Sequence, residues 1–143
     1  MIRLLAAAVA LALLAAGAAQ AEPVEIRATP VPLDTDRPER DHVGRLRFLA
    51  GYQLSAPHQG WGGFSDLELT PDGAELRAVS DRGFYLTLPL SHGADGRLLP
   101  PRRSDLARLI GPDGQPMTGK RAADAEAMAR LDDGALLVAF EQR

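Results

Sequence analysis

Apolar and polar side chains alternate along much of the chain, which is the two-residue period of a half-buried β-strand. The segments that follow this period, and that we predict as strands, are residues 24–28, 45–54, 66–70, 76–80, 84–90 and 136–140. Residues 33–44 are polar and are predicted as a loop. Strands this short and this numerous are typical of an all-β sandwich, barrel or propeller.

Asp-Gly dipeptides separate the predicted strands. They occur four times, at Asp72-Gly73, Asp95-Gly96, Asp113-Gly114 and Asp133-Gly134. An aspartate side chain bonds to the backbone two residues on, and glycine adopts the positive φ that such turns require. We therefore interpret these four aspartates as turn formers rather than as functional residues.

The segment between Lys120 and Leu131 allows two interpretations. It is rich in alanine, arginine and methionine, so intrinsic propensity favours a helix. The two-residue period of the neighbouring segments favours a strand, and the sequence leaves both open. The difference matters because Asp124 and Glu126 would share one face of a strand, but would point roughly 200° apart on a helix.

A pattern of acids recurs along the chain: Asp-x-Glu, then Asp-Gly, then an apolar strand that ends in an acid. The copies occupy residues 66–81 and 124–141, and their turn glycines, Gly73 and Gly134, lie 61 positions apart. A recurrence at this period indicates a repeat architecture, such as the blades of a propeller. Coincidence among common turn residues is the alternative, and two copies do not exclude it.

The N-terminus has the organisation of a secretory signal peptide. Arg3 precedes an apolar run at residues 4–16, and Ala19-Gln20-Ala21 matches the A-x-A cleavage pattern. We predict cleavage after Ala21 and a periplasmic or secreted mature protein. An uncleaved anchor helix is the alternative, although the run is shorter than the roughly 20 residues that span a bilayer.

Composition narrows the classes of partner. The chain has 143 residues, a formal net charge of −3 and no cysteine, and residues 1–21 contain one charged group, Arg3. The mature chain is therefore mildly acidic, which gives no reason to expect nucleic acid or an anionic membrane as partner. Disulfides and thiolate metal sites are excluded, so stability depends on the core or on another kind of metal site.

Several motifs together resemble a known family. They are Gly62-Gly63-Phe64-Ser65-Asp66-Leu67, Pro71-Asp72-Gly73, Ala78-Val79-Ser80-Asp81-Arg82-Gly83, Asp124-Ala125-Glu126-Ala127, Asp133-Gly134 and Leu137-Val138-Ala139-Phe140-Glu141. In this order they resemble the bacterial phytase-like family, described as "esterase-like activity of phytase", over residues 44–143. We divide the chain accordingly into a signal peptide (1–21), an N-terminal strand with a polar linker (22–43) and a phytase-like domain (44–143).

The resemblance implies an all-β, β-propeller-like fold and a chain about twice this long. Because a propeller closes with about four to eight blades, we expect two to three blades here, as an incomplete N-terminal portion. The resemblance also implies acidic functional residues. The catalytic set that we predict is Asp81, Arg82, Asp124 and Glu126, and the metal-binding set is Asp81, Asp124, Glu126 and Glu141.

Carboxylates gathered from successive blades would suit Ca²⁺, which takes six to eight oxygen ligands. The expected substrate is a small phosphorylated molecule or another ester, with no nucleic-acid partner and no membrane contact after signal cleavage. Ser65 is a poor nucleophile candidate because its surroundings do not match G-x-S-x-G. The alternatives are a non-catalytic propeller that binds a ligand in the cell envelope and an inactive fragment. The oligomeric state is left open.

Overall fold

The computed structural model describes residues 20–141 of the protein. The predicted signal peptide lies almost wholly outside this range and stays a prediction. Between residues 20 and 141, no helix has the length and hydrophobicity that spanning a membrane requires.

The largest element is a five-stranded antiparallel sheet. Its spatial order is β1 (Glu22–Glu25), β9 (Arg103–Arg108), β8 (Phe84–Pro89), β7 (Glu75–Ser80) and β6 (Phe64–Leu69). The consecutive strands β6 to β9 pair as neighbours, while the N-terminal strand β1 joins the far edge against β9.

The other sheets of the described residues are two-stranded and antiparallel. They pair β2 (Arg27–Pro30) with β5 (Tyr52–Ser55), β3 (His42–Val43) with β4 (Leu46–Arg47), and β10 (Ala125–Arg130) with β11 (Leu136–Phe140). A single helical turn, α1 (Lys120–Ala123), precedes β10. The predicted all-β class is confirmed, and within residues 20–141 the sheets are open rather than closed.

The register separates the large sheet into an apolar and a polar face, because residues opposite one another in a ladder lie on the same face. One such row consists of Leu67, Ala78, Leu86 and Leu106. The next row consists of Glu68, Arg77, Thr87 and Asp105. The apolar face forms the core, against which the partly buried Leu54 and Trp61 pack.

Some predicted strands are confirmed and others change. Residues 66–70, 76–80, 84–90 and 136–140 lie largely within β6, β7, β8 and β11. The strands predicted at 24–28 and 45–54 are wrong as single units, because each divides into two short strands with different partners. The loop predicted at 33–44 contains the short strand β3 near its end. The segment 120–131 is helical for one turn and then extended, so each interpretation holds for part of it.

All four Asp-Gly turns have the predicted geometry. Each aspartate accepts a hydrogen bond from the backbone N–H two residues on. Each glycine has a φ between +67° and +87°. The interpretation of these aspartates as turn formers is therefore confirmed.

The hairpins β6–β7 and β10–β11 are built alike. Each turns at an Asp-Gly dipeptide, and each has a bulge near the start of its first strand. The bulge lies between Phe64 and Asp66 in one hairpin and between Ala125 and Ala127 in the other, 61 residues later. The recurrence at 61 residues is therefore a structural repeat of two hairpins.

The second hairpin packs on the polar face of the first, with β6 and β10 side by side. The Met128 N–H donates to Asp66 Oδ2 at 2.8 Å, and Arg130 Nε donates to Glu68 Oε1 at 2.9 Å. Both contacts join residues 62 positions apart. The hairpins consequently run in the same direction, and their ends opposite the turns lie at the same edge.

Candidate functional site

Three carboxylates meet at the end of the second hairpin that is opposite its turn. Asp124 lies between α1 and β10, Glu126 is the extra residue of the bulge in β10, and Glu141 directly follows β11. Each offers a carboxylate oxygen, and these atoms all lie within 4.8 Å of one another. We call these three residues the acidic cluster.

Local backbone structure places the acidic cluster. The Glu141 N–H donates to the Asp124 carbonyl at 3.1 Å, which closes the hairpin end. Asp124 is fully buried, whereas Glu126 and Glu141 are exposed. Carboxylate oxygens in this arrangement can bind a hard cation at a position that solvent reaches.

The first hairpin has a corresponding end, formed by Gly63 and Asp81. The Asp81 N–H donates to the Gly63 carbonyl at 2.8 Å, as Glu141 does to Asp124. A Cβ atom on Gly63 would lie 1.8 Å from Asp81 Oδ1, so the Asp81 carboxylate fills the space beside this glycine. Asp81 Oδ1 is buried and accepts no hydrogen bond from any residue between 20 and 141.

The structural repeat differs from the one that the acid pattern indicated. By register, Ser65 corresponds to Glu126, so the Asp-x-Glu motifs at 66–68 and 124–126 are not equivalent. The correspondence of Asp81 with Glu141 is confirmed by their equivalent hydrogen bonds. The difference arises because the bulge and the turn, rather than the spacing of acids, define equivalent positions in the two hairpins.

Asp66 and Glu68 hold the second hairpin in place. Asp66 accepts hydrogen bonds from the N–H groups of Leu67 and Met128, and Glu68 pairs with Arg130. These two acids therefore have structural partners, at a different place from the acidic cluster.

Gly83 joins the ends of the two hairpins. Its φ is +74°, and a Cβ atom there would lie 2.5 Å from the Cβ of Ala123. Ala123 immediately precedes Asp124, and Gly83 follows Asp81 by two residues. The structure therefore brings the Ser-Asp-Arg-Gly turn next to the acidic cluster, with Asp81 outside the group of three.

Arg82 contacts the glycine-rich segment before β6. Its Nη1 donates to the Gln59 carbonyl at 3.2 Å and to the Trp61 carbonyl at 3.1 Å. Gly60 of this segment packs against the ring of Phe84, where a Cβ atom would come within 2.4 Å. Arg82 thus anchors this loop, and among the described residues nothing accepts a hydrogen bond from its Nε or Nη2.

Two side chains with shifted pKa values, Tyr85 and Arg77, lie on the polar face against which the second hairpin packs. Burial raises the pKa of Tyr85 above its usual range. The hydrogen bond from Arg77 to the Glu75 carboxylate raises the pKa of the Arg77 guanidinium. Tyr85 therefore stays neutral and Arg77 charged at physiological pH, on the surface where β10 packs.

The predicted site residues form two adjacent groups, the acidic cluster and the turn that contains Asp81 and Arg82. The motifs include Gly63 and Gly83, but no site role was predicted for them or for Ala123; all three shape the space between these groups. The available signal for the two glycines was their place in turn-like segments, since glycine permits the positive φ that both adopt. No sequence signal identified Ala123, because only the packing of the second hairpin places it against Gly83.

The chain matches a known protein family over the region that contains this site. A family model described as "Phytase-like: Esterase-like activity of phytase" matches residues 59–143. The chain belongs to the phytase-like family. The match includes both hairpins, the Ser-Asp-Arg-Gly turn and the whole acidic cluster, which confirms the resemblance that the motifs indicated. No curated protein and no solved structure gives a significant match to the chain.

Proposed function

We propose that this phytase-like protein is an exported hydrolase that cleaves a small phosphate ester, or another ester, at the joined ends of the two hairpins. The observation that carries the proposal is the acidic cluster, whose ligand atoms lie within 4.8 Å of one another inside the family match. We further propose that the hairpins are the inner strands of successive blades of a β-propeller-like fold. Their common bulge, turn and direction support this arrangement.

We propose Ca²⁺ as the ion of the acidic cluster. The donor set fits, because Ca²⁺ binds carboxylate oxygens and Asp124, Glu126 and Glu141 supply three that converge. Asp81 on the adjoining turn is a further ligand candidate, since its buried Oδ1 has no donor among residues 20–141. When bound, such an ion neutralises phosphate charge and makes a bound water more acidic.

The chain's own residues have distinct roles in this proposal. Arg82 uses only Nη1 to anchor the loop, so its other N–H groups can donate to the oxygens of a phosphate. Asp81 and the exposed Glu126 are candidates to accept a proton from the attacking water. Buried Asp124 orients the hairpin end through its carbonyl, which accepts from Glu141.

The test is turnover of an aryl phosphate and an aryl carboxylate ester by the processed protein, with Ca²⁺ and with a chelator. We expect Ca²⁺-dependent release from at least one substrate, and a loss of about a hundredfold or more in Glu126→Gln. The matched control is Glu39→Gln, an exposed carboxylate in the N-terminal loop, which should keep full activity. Binding of either compound without turnover would favour a non-catalytic binding module and would overturn the hydrolase proposal.

Export is a separate part of the proposal. Strand β1 begins at Glu22, directly after the predicted cleavage site, and Glu22 pairs with Leu106 in the large sheet. Cleavage after Ala21 would therefore leave the sheet complete. N-terminal sequencing of the exported protein should begin at Glu22, and a retained leader would contradict signal cleavage.

A further inference from the structure

The acidic cluster depends on a helical turn that has little stability of its own. Asp124 directly follows α1, which contains four residues. Helices shorter than about 12 residues are marginal in isolation, and no side chain caps the N-terminus of α1 at Gly119. The position of α1, and with it that of Asp124, therefore comes from contacts with the rest of the chain.

The segment before α1 supplies one set of these contacts. Residues 109–117 form a loop that leaves the end of β9 and returns to it, because the Met117 N–H donates to the Leu109 carbonyl at 2.8 Å. The Leu109 N–H in turn donates to the Gly83 carbonyl at 2.9 Å. The side chain of Met117 is buried. Met117 is therefore fixed beside the Ser-Asp-Arg-Gly turn, just before α1 begins.

Arg108, the last residue of β9, binds the Met117 carbonyl. Its Nη1 donates to this oxygen at 3.3 Å. The same oxygen lies 3.4 Å from the position that a Cβ atom on Gly83 would occupy, and Gly83 also contacts Ala123 of α1. Arg108 thus connects the large sheet to the segment that leads into the acidic cluster.

Phe84 restricts Arg108 in turn. The guanidinium carbon of Arg108 lies 4.4 Å from the centroid of the Phe84 ring, which is a cation–π contact. Phe84 is buried, pairs with Arg108 in the ladder of β8 and β9, and packs against Gly60. Because the ring already restricts the guanidinium, its hydrogen bond to Met117 costs less side-chain entropy.

We propose that Arg108 is a positioning residue for the acidic cluster, and that it acts on Asp124 through the Met117 carbonyl and α1. The proposal rests on the proposed function in one respect, that the acidic cluster binds a cation. Without the Arg108 hydrogen bond, residues 117–123 leave this position more often. The apparent affinity for a cation then falls in proportion to the fraction of molecules in which the cluster is assembled.

Two measurements on the processed protein test the proposal. One is Ca²⁺ binding by calorimetry, and the other is hydrogen exchange at the Glu141 amide, which donates to the Asp124 carbonyl. Arg108→Met keeps an apolar side chain on Phe84 but removes the donor. We expect Ca²⁺ binding to weaken, and exchange at Glu141 to accelerate, by about tenfold or more, as for the loss of one hydrogen bond from a charged donor. Exchange at Leu86 in the large sheet should not change.

A conservative variant separates positioning from a general loss of packing. Arg108→Lys retains a cationic donor for the Met117 carbonyl, so it should restore most of the Ca²⁺ affinity and of the protection at Glu141. Arg103→Met is the matched control, because Arg103 is an exposed arginine at the other end of the same strand. It should behave as the wild type in both measurements.

Several outcomes would overturn the proposal. They are unchanged exchange at Glu141 in Arg108→Met, equal acceleration at Glu141 and Leu86, and an Arg108→Lys variant as defective as Arg108→Met. A wild type that binds no Ca²⁺ would refute the proposed metal site, and exchange at Glu141 would still decide the role of Arg108. If Arg108→Met does not fold, Arg108→Thr replaces it, since threonine suits an exposed strand position.

Discussion

Gly83 and Ala123 touch at the place where the two repeated hairpins meet. A Cβ atom on Gly83 would lie 2.5 Å from that of Ala123, closer than real Cβ atoms approach. The residue after Ala123 is Asp124 of the acidic cluster, and two residues before Gly83 is Asp81. This contact therefore joins the two segments that contain the predicted site residues.

Replacing Gly83 with alanine should destabilise the protein and separate these groups. The positive φ costs roughly 1–2 kcal/mol for a residue with a Cβ. Overpacking against Ala123 adds about 1–3 kcal/mol. The free energy of unfolding in urea measures the sum, and activity in the proposed assay should fall as well.

Two further variants separate strain from steric clash. Gly73→Ala carries the same kind of positive φ, +67°, but its Cβ would have no neighbour within 4 Å, so it should cost only the strain. Adding Ala123→Gly to Gly83→Ala should restore part of the stability, because it removes the clashing methyl group. Equal losses in Gly73→Ala and Gly83→Ala would show that the contact does not constrain the fold.

Calcium should raise the melting temperature of the processed protein. At a Ca²⁺ concentration a hundred times Kd, native-state binding stabilises by about 2.7 kcal/mol, or roughly 10 °C in a domain of this size. Glu126→Gln and Glu141→Gln should lose most of the shift, and Glu39→Gln should keep it. A shift of equal size in all four proteins would place the ion elsewhere.

Removing the Asp66 carboxylate should loosen the second hairpin. In Asp66→Ala the Met128 N–H loses its acceptor, and a hydrogen bond to a charged group contributes about 1.5–3 kcal/mol. Hydrogen exchange at the Met128 amide should accelerate, while exchange at Leu86 in the centre of the large sheet should not. Asp66→Asn retains one of the two acceptor oxygens, so it should lose part of this stabilisation and fall between the wild type and Asp66→Ala.

The pKa of Asp72 predicts a dependence of stability on pH. Hydrogen bonds from the Thr70 hydroxyl and the Ala74 N–H lower this pKa below its ordinary value of 3.8. A lowered folded-state pKa stabilises the fold above pH 3.8, and the contribution disappears as the pH falls below that value through the folded pKa. Asp72→Asn and Thr70→Val should both flatten the dependence of unfolding free energy on pH in this acidic range. An unchanged slope in both variants would contradict the assignment.

The acidic cluster depends on structural features that the sequence motifs do not encode. The acids Asp124, Glu126 and Glu141 were identified from a motif, but their convergence depends on one helical turn, one bulge and one closing hydrogen bond. The apparent equivalence of two Asp-x-Glu motifs failed for the same reason. A bulge shifts the register by one residue, and the spacing of acids in the sequence does not reveal where a bulge occurs.

Alternation, turn chemistry and motif order are local properties, so the amino-acid sequence alone predicts the all-β class, the four Asp-Gly turns and the family. Tertiary structure decided which strands pair, as when residues 24–30 divide between two sheets. It also decided that Asp66 and Glu68 bind a neighbouring hairpin, and that Gly83 meets Ala123. These outcomes depend on contacts between residues tens of positions apart, whose geometry only the packed chain fixes.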